Sequence, residues 1–290
     1  MDITALRAFI AVADNASFSL AAEQLFITQP AVSKRIAALE QELGTPLFDR
    51  IGRQIVLTEA GRALEPHARL ILEEVEDTRR ALSNLTGSIA GRLSLATSHH
   101  IGLHRLPPLL RELRRRYPEL HLDIRFLDSE TACRAVEHGE LELAIVTLPL
   151  RPSAQLQTTA LWDDPLSVVC APDHPLAGYK QAGLATLAQH AAILPGPETF
   201  TRQIVESAFK PLGIRLQVEL STNYLETIKM LTAVGLGWSV LPETMLDSEL
   251  HRLPTPLRLT RQLGLVQHLA RTPSNAAQAM IRMLREGVRA

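Results

Sequence analysis

Between Ser17 and Leu57 the chain carries two short amphipathic helix patterns around a tight turn, then a pair of short apolar stretches; few folds accept that order. Phe18, Ala21, Ala22 and Leu25 recur at i, i+3, i+4 and i+7, one apolar face of a helix, and Ser17 is placed to cap it. Thr28-Gln29-Pro30 reads as a second helix start, because Thr caps well and Pro is tolerated where its missing N–H has no intrahelical partner. That helix is predicted to run to about Leu43, with Val32, Ile36, Leu39 and Leu43 on one stripe and Gln29, Ser33, Lys34 and Arg35 on or near the exposed side.

Apolar behind and hydrogen-bonding in front is what a helix needs to enter a DNA major groove, and the small Ala21-Ala22 pair lets two helices cross closely. The pattern alone also fits an ordinary helical hairpin with a solvated polar face. The next segment favours the helix-turn-helix: Gly44 ends the helix, Pro46 forbids its resumption, and Ile51-Gly52-Arg53 reads as the turn of a two-stranded wing. Arg50 and Arg53 near its tip would reach a phosphate or a minor groove.

Residues 1–91 resemble the N-terminal domain of LysR-type transcriptional regulators. The resemblance is carried by Leu6-x-x-Phe9, Ser17-Phe18-x-x-Ala21-Ala22-x-x-Leu25, Thr28-Gln29-Pro30-Ala31-Val32-Ser33, Ile36-x-x-Leu39-Glu40, Leu43-Gly44-x-x-Leu47-Phe48-x-Arg50 and Leu57-Thr58-x-Ala60-Gly61, and it extends more weakly over the rest of the chain. It implies an α/β protein in three parts. These are a winged helix-turn-helix domain (1–58), a linker and dimerisation helix with a hinge (59–91), and a two-lobed, periplasmic-binding-protein-like effector domain (92–290). Lobe I would comprise 92–162 and 265–290, and lobe II 163–264.

At 290 residues and 46% hydrophobic content the chain can bury more than one core. Its apolar runs are too short to span a membrane, and no basic-then-apolar signal region opens it, so a cytoplasmic location is expected. The net charge of −1 excludes a global electrostatic field for DNA. Up to Leu57, Arg7, Lys34, Arg35, Arg50 and Arg53 stand against Asp2, Asp14, Glu23, Glu40, Glu42 and Asp49, so affinity must come from a local patch. One copy makes too few phosphate contacts to bind well at physiological salt, and dimerisation is expected to double them. Ala60, Leu64, His67, Ile71, Val75, Thr78, Leu82 and Leu85 form a stripe that would serve a coiled-coil seam or pack on its own domain, and Pro66 should bend that helix or cost it a hydrogen bond.

From Arg92 short apolar strands alternate with helices, which implies a mostly parallel sheet with helices on both faces. Strands are expected at 93–96, 120–127, 143–146, 166–171, 192–194, 216–220, 238–241 and 265–270, and helices through 106–116 and over 131–138, 199–212, 223–234 and 274–285. Such sheets bind ligands where strands end and helix N-termini offer N–H groups. Thr97-Ser98 and Ser129 occupy such turns, and the resemblance matches Ser98 and Ser129 to effector-contacting positions. Pro197, Thr199, Phe200, Thr222 and Asn223 are the facing candidates from the second lobe. Each Ser or Thr is equally a candidate helix cap, and Arg202 is either a countercharge or a salt-bridge partner.

His99, His100 and His104 cluster; they suit the lining of the cleft, whereas metal binding needs a further ligand that the sequence does not display. No metal, cofactor or catalytic residue is assigned: G-x-S-x-G, the P-loop, the dinucleotide fingerprint and H-E-x-x-H are all missing, and Gly235-Leu236-Gly237-Trp238 falls after a helix and before a strand, the reverse of a nucleotide site. Cys133 and Cys170 are far apart with no CxxC spacing, which argues against a disulfide scaffold. The reading is a regulator that binds double-stranded promoter DNA through Ser17, Gln29, Pro30, Ser33, Lys34, Arg35, Arg50 and Arg53. It would respond to a small anionic effector, a carboxylate or inorganic oxyanion, and assemble as a homodimer through the linker and, by family resemblance, as a homotetramer. The rival is a small-molecule binding protein or enzyme whose N-terminal helices serve oligomerisation alone.

Overall fold

The computed structural model describes residues 1–51, 54–85 and 89–289, and the chain divides into two compact units, Met1–Leu82 and Ser83–Ala290. In the first, α1 (Ile3–Asn15), α2 (Phe18–Gln24) and α3 (Gln29–Leu43) close around Leu6, Phe9, Val12, Ala21, Val32, Ile36 and Leu39. The Ser17 hydroxyl caps α2 by accepting from the Leu20 N–H, 3.3 Å, and Pro30 sits in the first turn of α3. Gly44 ends α3 at φ +70°, the left-handed conformation that terminates helices. Leu43, expected on the buried stripe, is 39% exposed, because the helix has run past the core by then.

β1 (Phe48–Ile51) and β2 (Gln54–Leu57) pair antiparallel to make the wing. Glu40 anchors its base by accepting the Leu47 N–H at 2.7 Å, and the Phe48 ring lies 5.3 Å from that of Phe9. The long helix α4 (Glu59–Leu85) continues through Pro66. Its stripe splits: Ala60 and Leu64 pack on this unit's own core, joined there by Ala68 and Leu72 from outside the stripe, while His67, Ile71 and Leu82 are exposed, as is Leu70 beside them. Arg7 pairs with Glu76, and Arg69 with Asp14, tying α4 to α1.

The second unit begins with β3 (Gly91–Thr97), α5 (His99–His104), α6 (Pro107–Arg116), β4 (Leu120–Phe126), α7 (Ser129–Glu137) and β5 (Leu143–Thr147). The single helix expected up to Arg116 is two, since Pro107-Pro108 starts a new one. β6 (Leu156–Cys170), α8 (Leu184–Leu187), β7 (Ala192–Leu194), α9 (Phe200–Phe209), β8 (Val218–Ser221), α10 (Leu225–Ala233), β9 (Ser239–Pro242), β10 (His251–Arg252), β11 (Leu259–His268) and α11 (Asn275–Arg289) complete it. The main sheet runs β10-β6-β11-β5-β3-β4 with β9 also on β6. It is mixed, where a mostly parallel one was expected: β3 is parallel to β4 and β5, but β11 is antiparallel to β5 and β6.

Alternation along the strands assigns the two faces. Leu93, Leu95, Leu143 and Ile145 pack with α5, α6 and α11, whereas Ala96, Ala144 and Val146 pack with α7. In lobe II α9 packs with Val168, Leu194 and Trp238 on one face, and α10 with Val169, Ile193 and Leu241 on the other.

β6 and β11 are longer than the sequence reading gave them. They form an antiparallel ribbon of ten paired positions, from Leu259 with Leu166 to His268 with Leu156, that belongs to both lobes. At its bulge, beside Gly264, a Cβ would stand 2.3 Å from the Thr159 carbonyl oxygen. Gly264→Ala is therefore expected to destabilise this unit by about 1–3 kcal/mol, read as a lower urea midpoint of the full chain; an unchanged midpoint would show that the ribbon yields freely.

Candidate functional site

The N-terminal unit presents the front of α3. Gln29, Pro30 and Lys34 are exposed, Ser33 and Arg35 half-buried, and the Gln29 amide donates to the Ser33 hydroxyl at 3.0 Å. This fixes two side chains that each keep further hydrogen-bonding capacity toward a groove. Ser17 is occupied as a cap, so its contribution is to orient α2. The Arg50 backbone pairs with Ile55 in the wing, but its side chain and all of Arg53 lie outside the described residues. Phe26 went unnoticed in the sequence: on the turn between α2 and α3, with φ +55°, it is 96% exposed. A lone aromatic in a turn carries no pattern that would have revealed it.

In the second unit a cavity of about 330 Å³ opens between the lobes. Lobe I supplies Ser98, His99 and His100 from the end of β3 and start of α5, Phe126 to Thr131 from the turn into α7, and Thr147. Lobe II supplies Pro195, Thr199, Thr201 and Asn223 to Leu225, and Arg261 enters from β11. Of the expected residues, Ser98, His99, His100, Ser129, Thr199 and Asn223 are thus brought together.

Five are not on the lining. The Thr97 hydroxyl is buried and donates to the Ile145 carbonyl at 2.9 Å. Arg202 turns away, to Glu206 at 2.7 Å and the Pro195 carbonyl, so it supplies no countercharge to the cavity. Pro197, Phe200 and Thr222 lie off the wall as side chains, although the Phe200 N–H takes part. Thr199 does cap its helix, accepting from the Arg202 N–H at 3.2 Å, and Ser129 accepts from the Thr147 N–H at 3.1 Å.

Three charged groups not expected from the sequence, Arg261, Asp164 and Glu130, set the electrostatics. Arg261 is bonded to Asp164 at 2.7 Å, both essentially shut off from solvent, and donates to Thr201 at 3.1 Å. Burial lowers the Arg261 pKa against the pull of Asp164. Glu130 reaches across from lobe I to accept the Phe200 N–H at the head of α9, and burial raises its carboxyl above the ordinary value. Asn223 donates to Asp128 at 2.8 Å while accepting from the Gly196 N–H at 2.9 Å, a second bridge between lobes. His100 is pushed down to about 4 by burial and then by Arg261, so it is neutral at physiological pH. Burial likewise pushes Cys133 up to about 12 and Cys170 up to about 11, so neither is a thiolate there.

A winged helix-turn-helix unit and, in the same chain, a two-lobed unit with a polar cavity define a DNA-binding regulator with a small-molecule sensing domain. Residues 3–62 match the model of the bacterial regulatory helix-turn-helix protein, lysR family, and residues 86–289 that of the LysR substrate binding domain. The chain belongs to the LysR family of transcriptional regulators. It is 32% identical over 245 residues to the RuBisCO operon transcriptional regulator of Allochromatium vinosum, covering 84% of this chain and 80% of that one. A full-length OxyR variant from Pseudomonas aeruginosa superposes with TM-score 0.68 at 26% identity, over 100% of this chain and 95% of that one. The effector-binding domain of QuiR in complex with shikimate shares the fold of the second unit, with TM-score 0.62 at 18% identity over 69% of this chain and 98% of that one.

The buried ion pair makes a direct prediction. Arg261→Met should cost about 3–5 kcal/mol by leaving Asp164 buried without its partner, and adding Asp164→Asn should recover most of the loss. Chemical denaturation of the single and double variants checks this, and additive losses would contradict it.

Proposed function

We propose that this regulator binds a small carboxylate or inorganic oxyanion in the interlobe cavity, and that the anion competes with Glu130 for the head of α9. The observation that carries the reading is the Glu130 contact itself: a carboxylate accepts the Phe200 N–H at a helix start. A place that accommodates the chain's own carboxylate suits one that arrives from solution. Arg261 and Thr201 on the same wall add donors, and the raised Glu130 pKa makes that group easier to neutralise and displace. Shikimate, the ligand of the QuiR domain, is itself a carboxylate.

Glu130 and Asn223 each join the lobes, so a ligand that displaces one contact and makes others favours a different lobe arrangement. It shifts that equilibrium only by its differential affinity for the two arrangements. The reading continues with two copies paired through the exposed Leu70, Ile71 and Leu82 of α4, which burial against a partner would remove from water. A pair of such dimers in the cytoplasm would place four reading heads on promoter DNA. Gln29, Ser33 and Lys34 would face bases, with Arg35, Arg50 and Arg53 on the backbone or wing side. No helix among the described residues is long and apolar enough to cross a membrane.

For the DNA half, Ser33→Ala should weaken binding to the operator by about 1–3 kcal/mol and relax preference at one base, while Arg35→Ala should weaken all sequences alike and flatten the salt slope by about one charge. Footprinting upstream of the chain's own gene at two salt concentrations measures both; two unaffected variants would mean that α3 does not read DNA. For the ligand half, Glu130→Gln keeps an acceptor oxygen but removes the competing charge. Carboxylates or oxyanions that raise the thermal midpoint of the wild type should bind it about tenfold tighter, as relief of about 1.4 kcal/mol of repulsion requires. Weaker or equal binding contradicts the competition.

A further inference from the structure

At the rim of the cavity α5 and α10 bring three metal-ligating side chains together from opposite lobes. His100 and His104 stand at i and i+4 on α5 of lobe I, a spacing that puts both imidazoles on one face of a helix, and Glu226 is the second residue of α10 in lobe II. One ligand atom from each lies within 4.8 Å of the other two. Two of the three hold poorly satisfied atoms: His100 Nδ1 is shielded from water without a partner, and the Glu226 carboxylate, shielded likewise, has only its own backbone N–H and the long approach of His104 beside it. His99 Nδ1 and His104 Nε2 approach the carboxylate only to 3.5 and 3.4 Å. Poorly satisfied buried acceptors that converge are rare in native proteins and are accounted for when a cation sits among them.

We propose that His100, His104 and Glu226 bind one divalent transition-metal ion of the Zn²⁺, Co²⁺ or Ni²⁺ class and so tie lobe I to lobe II. Two imidazoles and one carboxylate match the preference of these ions and disfavour Ca²⁺ and Mg²⁺, which take oxygen ligands. Three protein ligands leave a coordination position for water or for a ligand in the adjoining cavity, which His100 also lines. Ligand atoms on a tetrahedral ion stand about 3.3 Å apart, given bonds near 2.0 Å. The His104 Nε2 to Glu226 carboxylate spacing of 3.4 Å already matches that figure, so an ion there would bridge α5 and α10 with the lobes as they stand. A histidine–glutamate ion pair without metal would place a proton between one imidazole and the carboxylate, and it would leave His100 Nδ1 as it is.

The test uses the untagged full chain, freed of metal with a chelator and titrated with Co²⁺, followed by its visible d–d absorption, and with Zn²⁺ by calorimetry. One ion per chain is expected, with a rise in thermal midpoint as free Zn²⁺ exceeds the dissociation constant. His104→Gln and Glu226→Gln should each weaken uptake by more than about 100-fold. His104 is exposed, so its variant should fold, as circular dichroism verifies; Glu226→Gln is the second, independent probe. His174→Gln is the control: His174 lies beside His190, but its Nδ1 already accepts the Leu176 N–H, and it should leave uptake unchanged. No one-to-one uptake, or uptake that survives both substitutions, overturns the site. Uptake is read without DNA or effector, so its failure is separable from failure of the proposed function.

Discussion

The second unit depends on a buried cross-strand ion pair in the one stretch of backbone that both lobes share. Arg261 of β11 stands opposite Asp164 of β6 in the antiparallel register, and the two side chains bond out of reach of solvent. Desolvating both charges is expensive, so the pair is tolerated only with good geometry and further partners. Thr201 takes one guanidinium N–H from lobe II, and Arg105 of lobe I lies 4.0 Å from the second Asp164 oxygen while resting 5.8 Å from the Trp162 ring centre. The pair thereby fixes the register of the ribbon, the inner wall of the cavity and the place where α9 meets the sheet. Around it the lobes touch through contacts of another kind: Glu130 on the Phe200 N–H, Asn223 on Asp128, Glu226 beside His99 and His104. A fixed pivot with a polar, exchangeable rim is a physical basis for two arrangements that a small ligand can bias.

The N-terminal unit solves a different problem. It carries no excess of basic residues, so its affinity for a polyanion has to come from where its cations stand. Helix α3 buries Val32, Ile36 and Leu39 and turns Gln29, Pro30 and Lys34 outward. The wing is held to it by the Glu40 carboxylate on the Leu47 and Phe48 N–H groups. That link ties the wing to α3, which in the proposed reading holds helix and wing as one surface toward DNA.

Local features were legible in the sequence because they obey short-range rules. Ser17 capping α2, Pro30 opening α3 and Gly44 closing it all follow from neighbours within four residues. What was missed depends on distant pairing. The strand expected from Leu166 in fact runs back through Asp163-Asp164-Pro165 within β6: β9 joins β6 only from Leu166, leaving one flank of Pro165 open, and Arg261 neutralises Asp164 from 97 positions away. For Arg202, by contrast, of the two roles open to it, countercharge or salt-bridge partner, its own helix supplies the second through Glu206 one turn on. The α4 stripe held two interleaved faces that periodicity cannot separate, one for its own core and one left exposed. The histidine cluster lacked a visible third ligand because Glu226 comes from the other lobe.

In the proposed function, occupancy of the interlobe cavity controls how the chain sits on DNA. The most direct measurement is the footprint on the promoter upstream of its own gene, taken with and without a ligand that raises the thermal midpoint, for the wild type and for Ser98→Trp, which fills the cavity from its lobe I wall. Ligand is expected to change the extent of the wild-type footprint and to leave that of Ser98→Trp unaltered. An equal ligand response in both proteins would place the control outside this cavity.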